Sequence, residues 1–210
     1  MNKYLTEFIG TFFLVLTVGC TIYSGAQGVI PPLAIGAVLM AMVYAGGHIS
    51  GAHYNPAITV AVYVRGRCPA SDIVPYIGAQ LAGAGLAAVS ALALLGKPAG
   101  PGGPLRSVSA ALLAEFLFTF ALAWVVLNVA TSNDNAGNSF YGLAIAMTVI
   151  AGAFAVGHIS GGVFNPAVAI SISIMGLAGW SNIWVYLLGT FGGAVVAAIA
   201  FKAVNPEDRS

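Results

Sequence analysis

From Phe8 to Tyr63, and again from Asn135 to Phe201, the chain carries no Asp, Glu, Lys or Arg. A water-exposed surface cannot be assembled from such stretches. Soluble domains carry about a quarter charged residues, against 6% here. Roughly 20 apolar residues cross a bilayer's hydrocarbon core, so both stretches are long enough for several crossings. The expectation is a polytopic protein whose main partner is the lipid bilayer. The net charge of +1 leaves no electrostatic footprint for a nucleic acid. Lys3 precedes the first apolar run, but Glu7 sits inside its start and no small-residue cleavage site ends it, so the first span is expected to be retained. Cys20 falls within a span and Cys68 follows Arg65 and Arg67. That placement argues against a disulfide, and two cysteines make no metal site.

Turn-rich segments cut the apolar sequence into six spans, near Tyr4–Ser24, Leu33–Gly47, Asp72–Leu95, Ser107–Ala130, Phe140–Gly157 and Asn182–Val204. The expected fold class is therefore an all-α membrane protein. An internal repeat organises it. "SGAHYNPAIT" and "SGGVFNPAVA" place Asn55 and Asn165 about 110 positions apart, and Glu7 and Glu115, in "TEFIGTF" and "AEFLFTF", lie about 108 apart. Each half reads as a Glu-bearing span, a second span, an Asn-Pro-Ala segment and a third span. Three crossings per half is an odd number, so the second half enters from the opposite side. The expectation is a single domain over 1–210, an inverted repeat of 1–96 and 107–204 joined by an extracellular linker. With both termini inside, Lys3, Arg65, Arg67, Lys202 and Arg209 are cytoplasmic while only Lys97 and Arg106 lie outside, which agrees with the preference of basic residues for the cytoplasm. The short termini suggest a bacterial inner membrane.

After each Asn-Pro-Ala comes a short apolar stretch, "AITVAVYV" and "AVAISISIM". About ten residues at 1.5 Å each reach roughly 15 Å, half the hydrocarbon thickness, so these are half-helices. Asn55 and Asn165 are favoured N-caps, and Pro56 and Pro166 suit a first helical position that needs no N–H. Ala57 and Ala167 complete the motifs. Entering from opposite sides, the half-helices meet near the midplane, each presenting the positive end of a dipole worth about half a charge. Each Asn amide still has an N–H to offer an oxygen-bearing permeant. The preceding stretches, His48–Tyr54 and His158–Phe164, are expected to be non-helical. Such backbone at membrane depth belongs along a water-filled path, so Ala52, His53, Tyr54, Gly161 and Val163 are candidate pore-lining backbone. Glu7 and Glu115 are expected to brace these loops by accepting backbone N–H bonds; an interfacial anchor is the other reading. His48 is a candidate for the cytoplasmic mouth. Three His with no Cys or carboxylate cluster do not compose a metal site, and no cofactor is expected.

Two such motifs with paired Glu-bearing spans resemble the aquaporins, or major intrinsic proteins, over essentially the whole chain. The resemblance implies a right-handed helical bundle, a homotetramer and one pore per subunit. Counting from the two Asn carries over the family's filter positions onto Ile35, Ala153, Gly162 and Val168. Water-selective members hold an aromatic, a His, a small residue and an Arg there. This chain lacks the aromatic, the His and the Arg, which implies a wider and less polar constriction. Val168 resembles some tonoplast intrinsic proteins, although Ile35 and Ala153 differ from them. The Asp that glycerol facilitators place after the Arg position is Ala169 here.

The function expected is passive conduction of water and small neutral solutes such as urea, glycerol or ammonia. A conventional water-selective channel is the alternative. An ion- or proton-coupled transporter would need titratable groups at the midplane, where the sequence supplies two Asn and apolar walls. A junction protein would call for a narrowed pore. No nucleophile–base constellation suggests an enzyme.

Overall fold

The computed structural model describes residues 1–96 and 105–208; Lys97, Arg209 and most of the linker between the halves lie outside them. The described residues form eight α-helices and no strand. Six are long and apolar enough to cross a membrane: α1 (Asn2–Tyr23), α2 (Ile30–Ser50), α4 (Ala70–Leu95), α5 (Val108–Ala130), α6 (Tyr141–Ser160) and α8 (Ile183–Val204). The other two are short, α3 (Pro56–Arg65) and α7 (Pro166–Ile174). Single 3-10 turns at Asn133–Asn135 and Trp180–Asn182 lead into α6 and α8.

Two boundaries differ from the sequence expectation. The helices α2 and α6 run on through His48 and His158 to Ser50 and Ser160. Each ends where a glycine first permits a left-handed turn: Gly51 (φ 84°) and Gly161 (φ 96°), whose N–H groups bond to the carbonyls of Gly47 and Gly157. The non-helical backbone therefore shrinks to residues 51–54 and 161–164. His48 is left on an outer helical turn, exposed.

Helix contacts pair α1 with α4 and α5 with α8, while α2 packs on α6 between the halves. Small residues set the closest of these approaches. A Cβ on Gly83 would collide with the Phe8 carbonyl of α1, and one on Gly193 with the Phe116 carbonyl of α5. Without a hydrophobic driving force between helices in lipid, this close van der Waals contact is what holds the pairs. Each short helix leans on the other half: α3 packs against α8, and α7 against α4. Hydrogen bonds gather the polar ends. Lys3 and Tyr4 of α1 both donate to Asp72 of α4, and Arg65 and Arg67 reach Asp208 after α8. That end of the bundle holds both Lys3 and Asp208. At the other end Tyr23 donates to the Met175 carbonyl.

Candidate functional site

The site is built from the inner ends of α3 and α7. Asn55 and Asn165 have extended backbones (φ −158° and −153°), and each side-chain oxygen accepts the N–H of the second residue after it, Ala57 or Ala167, at 2.9 Å. These are the N-caps that Asn-Pro sequences favour. The amide nitrogens do something local sequence does not dictate. Asn55 Nδ2 donates to the Phe164 carbonyl and Asn165 Nδ2 to the Tyr54 carbonyl, both at 2.9 Å. The two caps thus tie the loops together reciprocally. An amide NH2 has two hydrogens, so one N–H per Asn is left for the passage.

The loops before the caps are strained. Ala52 (φ 52°), Tyr54 (φ 48°) and Phe164 (φ 49°) all hold left-handed backbones that non-glycine residues avoid. Such conformations persist only when surroundings over-determine them, and here a buried carboxylate does so. Glu7 Oε1 accepts from Ser50 Oγ (2.7 Å) and His53 N (2.9 Å), and Oε2 from Tyr54 N (2.7 Å) and Gln80 Nε2 (2.8 Å). Glu115 Oε1 accepts from Ser160 Oγ (2.6 Å) and Val163 N (3.0 Å), and Oε2 from Phe164 N (2.6 Å). Both carboxylates are fully buried, so they sit inside the bundle and not at an interface. Tyr76 and Tyr186 complete the matching sets by donating to the carbonyls of Ser50 and Ser160 (2.8 and 2.9 Å).

The halves differ at one polar cluster. Gln80 Nε2 also donates to Thr59 Oγ1 (2.9 Å), and Thr59 donates to the Asn55 carbonyl (3.1 Å). His53 Nδ1 lies 3.1 Å from the same hydroxyl, which joins the loop to this cluster. Val163, Ala169 and Thr190 take the places of His53, Thr59 and Gln80 in the second half.

A cavity of about 200 Å³ runs past both Asn side chains. Its wall is mostly apolar, with Leu14, Val18, Leu39, Ile145 and Ile172 among its members. Ile35, Gly162 and Val168 of the four filter candidates line it. Ala153 does not; it packs behind Gly162, its Cα 3.2 Å from where a Cβ on that glycine would lie. Val149, one turn earlier on α6, reaches the cavity instead. Ala52, His53, Tyr54, Gly161 and Val163 line it too. Among the described residues no hydrogen bond ends on the carbonyls of Ala52, His53, Gly161 or Val163, whereas that of Tyr54 is taken by Asn165. A vestibule of about 330 Å³ opens at the end that holds Asp72, bordered by Arg67, Cys68, Asp72 and Thr131. His53 lines both spaces, whereas His48 lines neither. Burial pushes the Cys68 thiol above its ordinary value, which keeps it protonated and unreactive at neutral pH.

Gln80, Thr59, Tyr76, Ser50 and Val149 escaped the sequence reading. The repeat held a signal for some of them: Ser50 and Ser160, and Tyr76 and Tyr186, recur at the same spacing as the two Asn.

Comparison with known proteins agrees with this construction. Residues 1–201 match the family model described as Major intrinsic protein. Aquaporin NIP1-3 of Oryza sativa subsp. japonica is 39% identical over 218 residues, covering 99% of this chain and 75% of the relative. Glycerol uptake facilitator protein-like 6 of Lactiplantibacillus plantarum is 38% identical over 217 residues, covering 99% of this chain and all of the relative. The X-ray structure of the aquaglyceroporin from Plasmodium falciparum superposes with a TM-score of 0.81 at 22% identity, covering 98% of this chain and 97% of that one, which is a likeness of fold. A whole-chain family match, two cross-tied Asn caps and two buried carboxylate braces lead to one conclusion: the chain belongs to the major intrinsic protein family.

Proposed function

We propose that the protein is a passive channel for water and small neutral solutes such as urea, glycerol or ammonia, and not an enzyme. The observation that carries this is the pair of Asn caps. Each spends its oxygen on its own helix and one N–H on the opposite loop, and keeps one N–H facing the cavity. Two donors from opposite sides suit one neutral oxygen, and the two positive helix ends behind them disfavour a cation. The remaining wall is apolar, so single-file solutes are handed along by free loop carbonyls.

In this reading the chain is one channel domain in which the halves 1–96 and 107–204 are an inverted repeat. Both termini face the cytoplasm, and the subunits assemble as homotetramers with a pore in each. A bacterial inner membrane is the location this reading gives it. Ile35, Gly162 and Val168 form the constriction with Val149, and Ala153 backs Gly162 without reaching the cavity. With an aliphatic side chain in place of a five-donor guanidinium, the constriction admits solutes larger than water.

Stopped-flow light scattering on proteoliposomes tests this. Urea or glycerol permeability is expected well above that of protein-free vesicles. Water flux with no solute flux would overturn the wide-filter reading. Val168→Arg is expected to cut solute flux more than water flux, and an equal fall in both would remove Val168 from the constriction.

A further inference from the structure

At the end of α3 lies a charge that the second half does without. Arg65 is the last residue of the half-helix, with its side chain fully buried. Ten positions after Asn165, the matching residue is Met175, equally buried. The slot therefore needs no charge for packing. Arg65 Nη2 donates to Asp208 Oδ1 (2.7 Å) and to the Thr131 carbonyl (3.3 Å), and its guanidinium lies 4.7 Å from the Phe201 ring centroid. Its Nε and Nη1 have no hydrogen-bond partner.

Asp208 gathers more than this one donor. Its Oδ1 also accepts from Arg67 Nη2 (3.4 Å) and Asn133 Nδ2 (2.9 Å), and its Oδ2 from the Asn133 backbone N–H (3.0 Å). Arg67 in turn donates to Asn133 Oδ1 at 2.7 Å. One carboxylate thus pins the half-helix end to the α5–α6 connection. Arg67 and Thr131, one on each side of this tie, both border the vestibule.

We propose that Asp208 is a positioning residue for permeation: it holds Arg65 buried and Arg67 against the Asn133 turn, and so keeps one cation out of the vestibule and the other at its border. A buried charge that loses its partner is strongly disfavoured. Without the carboxylate, Arg65 leaves its slot for water, and Thr131, whose carbonyl it already touches, borders the vestibule. There it joins Arg67, and two long cationic side chains obstruct a passage that ends at His53. This rests on the channel reading above.

The test compares wild type, Asp208→Asn, Arg65→Met and the double variant Arg65→Met/Asp208→Asn in the same proteoliposomes, with extraction yield and thermal unfolding measured alongside. Water flux of Asp208→Asn is expected to fall to about a tenth of wild type, since an unpaired buried charge relocates almost completely. Arg65→Met and the double variant, with the apolar residue that the second half already uses, are expected to conduct like wild type. Rescue by removing the charge is a result that mere loss of a surface tie would not produce. Wild-type-like flux in Asp208→Asn overturns the proposal. So does a well-folded double variant that conducts no better than Asp208→Asn. Should Asp208→Asn fail to fold, Arg65→Met decides: low flux from a folded Arg65→Met protein overturns the proposal. A wild type that conducts nothing would instead sink the channel reading itself.

Discussion

Glu7 accepts four hydrogen bonds and Glu115 three, all from donors. A carboxylate suits that role because it has only acceptor sites when ionised. Glu7→Gln turns one of those sites into a donor facing donors, and leaves at least one buried N–H unpaired. The expected loss is about 2–4 kcal/mol of stability, read as a lower unfolding temperature in detergent. The left-handed Tyr54 backbone relaxes with it, so water flux should fall too. A Glu7→Gln protein as stable and as conductive as wild type would show that the loop holds its own shape. The two Glu were visible in the sequence because charge inside an apolar span is conspicuous. Gln80, which joins Glu7 to Thr59, was not, since a neutral amide in a transmembrane helix leaves no pattern. The difference between Ala153 and Val149 was hidden for another reason. Both sit on one face of α6, a turn apart, and only the packing of Gly162 over Ala153 decides which side chain reaches the cavity.

At the scale of elements, the short helices are the best-written part of the chain. Asn, Pro and a terminating glycine are local instructions, and α3 starts at Pro56 and ends at Arg65 before Gly66 as they require. The ends of α2 and α6 are not legible in the local sequence because Ser50 and Ser160 are compatible with either state. Their side chains reach buried carboxylates across the fold, and that contact favours one more helical turn. Helix pairing is carried by particular glycines. Gly83→Ala puts a Cβ onto the Phe8 carbonyl, where backbone must move. The expected cost is about 1–3 kcal/mol from overpacking. Gly78→Ala, on the same helix with nothing within 4 Å of the new Cβ, is expected to be neutral or slightly stabilising. Thermal unfolding of the two variants compares them directly. Equal unfolding temperatures would mean that α1 and α4 do not need their close approach.

Across the whole molecule, Asp208 links three separate regions outside the membrane-spanning helices. Burial pushes its carboxyl upward, but bonds from Asn133, Ser132 and Arg65 outweigh this and hold it below the ordinary value. A carboxyl depressed in the folded state contributes stability above its unfolded value, about 3.9, and loses it as pH falls through the folded value. Arg65 and Arg67 are the charged groups bonded to it. The gap in unfolding temperature between wild type and Asp208→Asn should therefore be constant near neutral pH and close below about pH 4. A gap unchanged at low pH would show that the carboxylate's charge contributes nothing. What the sequence alone determined were the features that neighbours along the chain can write: apolar lengths, caps, breaks and the spacing of the repeat. Tertiary structure alone decided which partner each cap amide takes, which α6 side chain faces the cavity, and that a tail carboxylate holds Arg65. The cap partners and the Arg65 tie depend on atoms more than a hundred residues apart meeting within 3 Å or so, and the α6 choice on how a loop glycine packs back on its helix; no local pattern encodes such meetings.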